Sequence, residues 1–219
     1  MFPLTLMRLA SPWVLGAALG LGLATTASAI SDTQFQNAFS RFVQAGAGDS
    51  AAIDAAAQAF QDLVKIEPAN PVLHAYAGAA TAMQAGNSWL PWKKMSLAED
   101  GLAELDKALA LLSPAHEAPV QNGTPGVLEV KFVAANTFLA VPEFMHRRER
   151  GAKLLGEVLA HPLLASAPLG FRGSVWLKAA KEASKAQKPA EAKRYLNLIV
   201  QQQAPQAAQA QALLKGMAL

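Results

Sequence analysis

The chain has 219 residues, 52% of them hydrophobic, with no cysteine and a formal net charge of +3. So small a basic excess excludes a nucleic-acid footprint, and the lack of thiols excludes a disulfide framework, a thiolate nucleophile and a Cys-ligated metal. Alanine dominates many segments, while Val, Ile, Thr and the aromatics never fall in alternating runs, so the expected fold class is all-α.

The first segment, 1–29, has the three parts of a secretory signal peptide. Arg8 supplies the positive start, Leu9 to Leu23 is apolar apart from Ser11 and Pro12, and Ala27-Ser28-Ala29 ends the segment in a small-x-small pattern. About 15 apolar residues fall short of the roughly 20 that span a bilayer, and Pro12 interrupts them. Cleavage is expected after Ala29, leaving a soluble periplasmic domain over 30–219. With no cysteine after the apolar run, the lipid attachment of bacterial lipoproteins is excluded.

Caps and breakers divide that domain. Asn70-Pro71 sets an N-cap before a proline at the first helical position, and Thr124-Pro125 repeats the arrangement. Ser96-Leu97-Ala98-Glu99 fits a capping box, in which Ser and Glu satisfy each other's orphan backbone donors. Pro142, Pro168 and Pro189 stand where new helices begin, while Gly46, Gly48 and Gly86 mark ends. These marks predict helices over 32–45, 50–66, 70–85, 96–113, 125–140, 143–161, 169–186, 189–203 and 206–217. Helices joined by short turns pack as antiparallel hairpins.

The hairpins repeat. Ala56, Phe60 and Leu63 on one second helix are matched by Gly101, Leu105 and Ala108, by Gly151, Leu155 and Val158, and by Ala192, Leu196 and Ile199. The first helices correspond through Gly78, through Val72-Leu73 aligned on Val127-Leu128, and through Trp176 with Ala180. Pro68 and Pro205 close the first and last units. Small residues let two backbones approach, and the bulky ones fill the space beside the contact. This pattern resembles the tetratricopeptide repeat, whose unit is about 34 residues of two helices. The spacing is stretched in the middle by the insertions 86–95 and 114–123. The resemblance implies about four stacked hairpins and a C-terminal capping helix, a short α-solenoid; an ordinary Ala-rich bundle is the rival architecture.

Residues that carry chemistry are sparse. The four histidines, His74, His116, His146 and His161, include no pair at helical metal-ligand spacing. No nucleophile elbow, zinc-protease motif or phosphate loop is present; Gly170-Phe171-Arg172-Gly173-Ser174 lacks the lysine and the strand. Neither a catalytic residue, a metal nor a cofactor is therefore expected. The run His146-Arg147-Arg148-Glu149-Arg150 with Lys153 reads as a solvated helix face or as a contact for an anionic partner or headgroup. Asn122-Gly123-Thr124 reads as a turn.

The insertion Asn87-Ser88-Trp89-Leu90-Pro91-Trp92-Lys93-Lys94-Met95 holds two of the four tryptophans. Either both indoles fold back as a small satellite core, or they stand beside the lysines as an anchor for a partner or a membrane surface. The second reading makes Trp89 and Trp92 the first candidates for binding.

The family resemblance further implies a concave groove lined by the first helix of each unit. Carried over, the groove takes Val72, Ala75, Ala79, Ala82 and Met83, then Val127, Val130, Ala134, Thr137 and Phe138, then Ser174, Leu177, Lys181, Ser184 and Lys185. It would be apolar in the middle and basic at one end, and it lacks the Lys and Asn array that clamps a C-terminal carboxylate in chaperone-binding relatives. The function expected is a non-enzymatic scaffold or adaptor binding another envelope protein or peptide segment, with peripheral membrane contact as a further option. A carrier of an apolar small molecule or lipid is the alternative.

Overall fold

The computed structural model describes residues 29–217; the segment expected as a signal peptide lies, except for Ala29, outside the described residues. Among those residues are nine α-helices: α1 (Asp32–Gly46), α2 (Ser50–Ile66), α3 (Pro71–Asn87), α4 (Pro91–Ala110), α5 (Gly126–Phe138), α6 (Arg148–Ala160), α7 (Leu169–Lys185), α8 (Pro189–Gln201) and α9 (Ala207–Gly216). Short 3₁₀ turns occupy Pro114–Glu117, Glu143–Met145 and Pro162–Ser166. The protein is all-helical.

The early helices start where local chemistry dictates. Ser31 and Gln34 form a reciprocal capping box on α1, the Asp49 carboxylate accepts from Ala51 N at 3.0 Å to open α2, and Asn70 accepts from Val72 N at 3.0 Å to open α3. Three later expectations need correction. Helix α4 begins at Pro91 with Leu90 as an N-cap that makes no side-chain bond, because a proline at the first position already has the helical φ and lacks only an orphan donor. The Ser96 motif therefore lies inside α4, where its hydroxyl bonds Asp100 one turn on at 3.3 Å. Thr124 is buried beside α5 and does not cap it, since Pro125 occupies the N-cap. The helix expected over 143–161 is broken, with His146 in the left-handed region at φ 52° between the 3₁₀ turn and α6.

Two helices run through the centre. From Pro71 to Thr81 every residue of α3 is buried, and the helix carries no Asp, Glu, Lys or Arg, the pattern of a helix surrounded on all sides. It packs against α1, α2, α4 and α5, and α5 in turn packs against α3, α4 and α6. Further along the chain, α7 meets α6 and α8, and α8 meets α9. Phe35, Phe39, Phe42, Phe60 and Tyr76 interlock as one aromatic cluster across α1, α2 and α3, with Phe60 stacked on Tyr76 at 4.9 Å.

Small residues set the closest crossings. A Cβ on Gly78 would lie 2.6 Å from the Gly101 carbonyl oxygen, and one on Gly101 would lie 2.6 Å from the Gly78 oxygen, so α3 and α4 touch backbone to backbone. A Cβ on Gly151 would come within 2.9 and 3.0 Å of the Leu139 and Phe138 side chains, where α5 meets α6. Ala180 and Ala192 are both buried where α7 meets α8.

Candidate partner-binding edge

Six of the residues carried over from the repeat family are core and cannot line a groove. Ala79, Val130 and Phe138 are each no more than 1% exposed, as are Val72, Ala75 and Ala134. The helices that carry them are the central ones, and their side chains are core. Met83 is half-buried against a small alanine-rich cluster around Ala52, Ile53 and Ala56. Lys181 and Lys185 are exposed on α7, remote in sequence from those residues, and the Lys185 ammonium pairs with Glu182 at 2.9 Å.

The tryptophans behave in the opposite way. Trp89 is 86% exposed and Trp92 70%, which overturns the satellite-core reading. The physical reason is the early start of α4: with the helix running from Pro91, the indoles project from a short turn and a first helical turn instead of folding back. Lys93 and Lys94 are exposed beside them.

Below Trp92, one face of α4 carries Met95, Glu99, Leu102, Ala103 and Asp106 at helical spacing. Opposite it stand Phe144, Met145 and Arg147, and the two sides enclose an open depression of about 410 Å³. Phe144, in the 3₁₀ turn, is 61% exposed. The left-handed His146 ends that turn, so the chain offers Phe144 outward before α6 starts. Exposed Trp89, Trp92, Met95 and Phe144 thus contribute large apolar side chains to this part of the surface. Glu99 has no ion-pair partner among the described residues.

The basic run is largely exposed, as expected of a solvated face, and Arg147 alone of it enters the wall of this depression. Arg147 reaches the Asp106 carboxylate at 3.0 Å, and Arg150 bonds the same carboxylate. Both guanidinium groups lie over the Phe138 ring, at 5.5 and 5.3 Å from its centre. Arg148 turns the other way and pairs with Glu182 of α7 at 3.1 Å. Sequence reading missed these roles because the partners Asp106 and Glu182 are more than 30 residues distant.

A second open depression of about 380 Å³ lies between the 3₁₀ turn at Pro162–Ser166, α7 and α8. Its wall includes Trp176, with Arg172 over the ring at 5.7 Å.

Two buried polar clusters are built into the core. His74 is fully buried, with Nε2–H donating to the Pro68 carbonyl at 2.8 Å and Nδ1 against the Glu104 carboxylate. Glu129 of α5 accepts from the Tyr76 hydroxyl and from Asn122 Nδ2, the latter at 2.7 Å. Burial raises the Glu129 carboxyl above its ordinary value, and those two hydrogen bonds oppose the shift. Burial, and then the Glu129 charge, push the Tyr76 phenol well above its ordinary value. This cluster fastens the turn at Asn122, where Gly123 has φ +67°, onto the centre of the molecule. With both ionisable members buried, it is a fixture of the core and offers no surface for a substrate. Among the described residues no group of three or more acidic, His or Cys side chains is placed to hold a metal, and no helix is long and apolar enough to cross a membrane.

Fold and surface together define an all-helical protein with an aromatic edge framed by arginines. No protein-family model matches the chain, and no curated protein or solved structure matches it.

Proposed function

We propose that this chain is an exported, non-enzymatic docking module of the bacterial envelope, a tetratricopeptide-like solenoid that takes a segment of another envelope protein along α4. The observation that carries the reading is the exposure of Met95 and Phe144 in the wall of one depression, with exposed Trp92 one turn before Met95 on α4. Large aromatic anchors beside a recess are the usual centre of a binding surface, and contiguous apolar exposure marks an interaction site. The partner of fitting chemistry places an apolar side chain between Met95 and Phe144 and a basic one against Glu99. The apolar carrier finds less support, because both depressions open to solvent and Val72, Ala75, Ala79, Val130, Ala134 and Phe138 of the assigned groove are core.

Site-specific photocrosslinking tests the reading. A photoreactive residue at Trp92 or Phe144 is expected to give a discrete protein adduct in living cells. The same residue at Leu213, an exposed apolar position on α9, is expected to give none. Equal labelling at all three positions, or adducts with lipid alone at 92 and 144, would overturn it.

A further inference from the structure

The start of the described chain is docked rather than trailing. Ile30 is 8% exposed and belongs to the main core with Phe35, Phe60 and Leu63. Its backbone nitrogen donates to the Glu67 carboxylate at 2.7 Å. Ala29, one residue earlier, is exposed. Glu67 sits in the turn between α2 and α3, and its other oxygen accepts from Asn70 Nδ2 at 2.8 Å. Asn70 is itself held as the α3 cap. The nearest lysine in the sequence, Lys65, is engaged by Asp62 at 2.7 Å, and Glu67 has no cationic side-chain partner among the described residues.

An oriented carboxylate facing one backbone nitrogen, with no cation beside it, gains most if that nitrogen becomes charged. We propose that the Ala29–Ile30 bond is a processing site, and that Glu67 is the receptor for the α-ammonium group its hydrolysis creates. The inference rests on the export reading for the cleavage step alone. An export-linked endopeptidase would add water across the bond: the water oxygen ends on the Ala29 carboxylate, which leaves with the leader, and the Ile30 nitrogen becomes an ammonium by taking up protons. The 2.7 Å hydrogen bond then becomes an ion pair without moving either atom. Because Ile30 is buried in the folded protein, cutting precedes docking, and folding of the first hairpin hides the new terminus.

Two measurements separate the two halves of the proposal. Mass spectrometry of the protein recovered from the envelope is expected to find Ile30 as its first residue; any other first residue overturns the processing site. Independently of export, the chain is made with residues 1–29 or 1–28 replaced by a removable leader, so that it starts at Ile30 or at Ala29. Each form is made with Glu67 and with Glu67→Gln. Circular dichroism checks that all four fold. Acylation of the α-amine near neutral pH is expected to be about tenfold or more slower at Ile30 than at Ala29, the scale of a charge-assisted hydrogen bond. Glu67→Gln is expected to erase most of that difference while changing the Ala29 form little. Equal rates at Ile30 and Ala29, or a difference that survives Glu67→Gln, would overturn the receptor role whatever the exported terminus proves to be.

Discussion

Replacing Gly78 with alanine adds one methyl group where α3 and α4 meet. That carbon would lie 2.6 Å from the Gly101 oxygen and 3.0 Å from the Leu105 nitrogen, both backbone atoms that no rotamer change can move. Restoring ordinary contact requires the helices to part by nearly an ångström, over a crossing that also seats Leu105, a fully buried side chain. Overpacking of this kind costs about 1–3 kcal/mol. Against it stands the better helix propensity of alanine, worth about 0.8–1 kcal/mol. The clash involves backbone on both sides and so falls at the upper end of that cost, leaving a net loss of about 2 kcal/mol. Gly156 is the internal control: it lies inside α6, is exposed, and a Cβ added there would meet nothing within 4 Å. Gly156→Ala should therefore gain most of the propensity term. Urea unfolding read by circular dichroism should move the two midpoints in opposite directions at an unchanged slope. A Gly78→Ala protein as stable as the parent would refute the close crossing and the packing argument built on it.

Two further outcomes follow from the buried and the exposed residues. Trp89→Ala with Trp92→Ala should leave the thermal midpoint nearly unchanged, within about 0.5 kcal/mol as at other surface sites, while removing the crosslinks at Phe144; a large loss of stability would mean that the indoles pack after all. Glu129 has a raised carboxyl in the folded state, so between the ordinary glutamate value of 4.5 and its folded value the native protein holds the extra proton. Its contribution to stability is therefore fully present below the ordinary value and is lost as pH rises through the folded one. Glu129→Gln, which keeps an acceptor for Tyr76 and Asn122, should lose that decline and gain on the parent as pH rises from 4.5 through the folded value, by about 1–3 kcal/mol for a buried charge left partly unanswered. A constant difference between the two proteins across that range would contradict the assignment.

What the sequence discloses is local, and what it hides is distant. Asn70 announces α3 because a cap acts within four residues, and Ser31 and Asp49 cap α1 and α2 by the same chemistry. The pairing of Gly78 with Gly101 is also legible, since a hairpin brings two small positions together at a fixed separation. The start of α4 is misread because Ser96 and Glu99 make a plausible box while Pro91 quietly supplies an earlier start. The groove is misread for a different reason: helices of a hairpin array look alike in sequence whether they line a surface or run through the middle. One signal does distinguish them, the charge-free run from Val72 to Asn87 on α3, which suits only a helix enclosed by others. The arginine frame at Asp106 leaves no such trace, because nothing in Arg147 or Arg150 names the residue each one meets.

The placement of the indoles also has an optical consequence. Among the described residues the tryptophans are Trp89, Trp92 and Trp176, and the first two face water while the third is half-buried beside Arg172. The folded protein should therefore emit at wavelengths usually associated with unfolded chains, and intrinsic fluorescence would underreport its unfolding. The same arrangement makes the surface its own reporter. A partner that dehydrates Trp92 shifts the emission to the blue, whereas a ligand settling beside Trp176 acts on an indole already partly screened from water. Engagement along α4 can thus be followed in solution with no label attached.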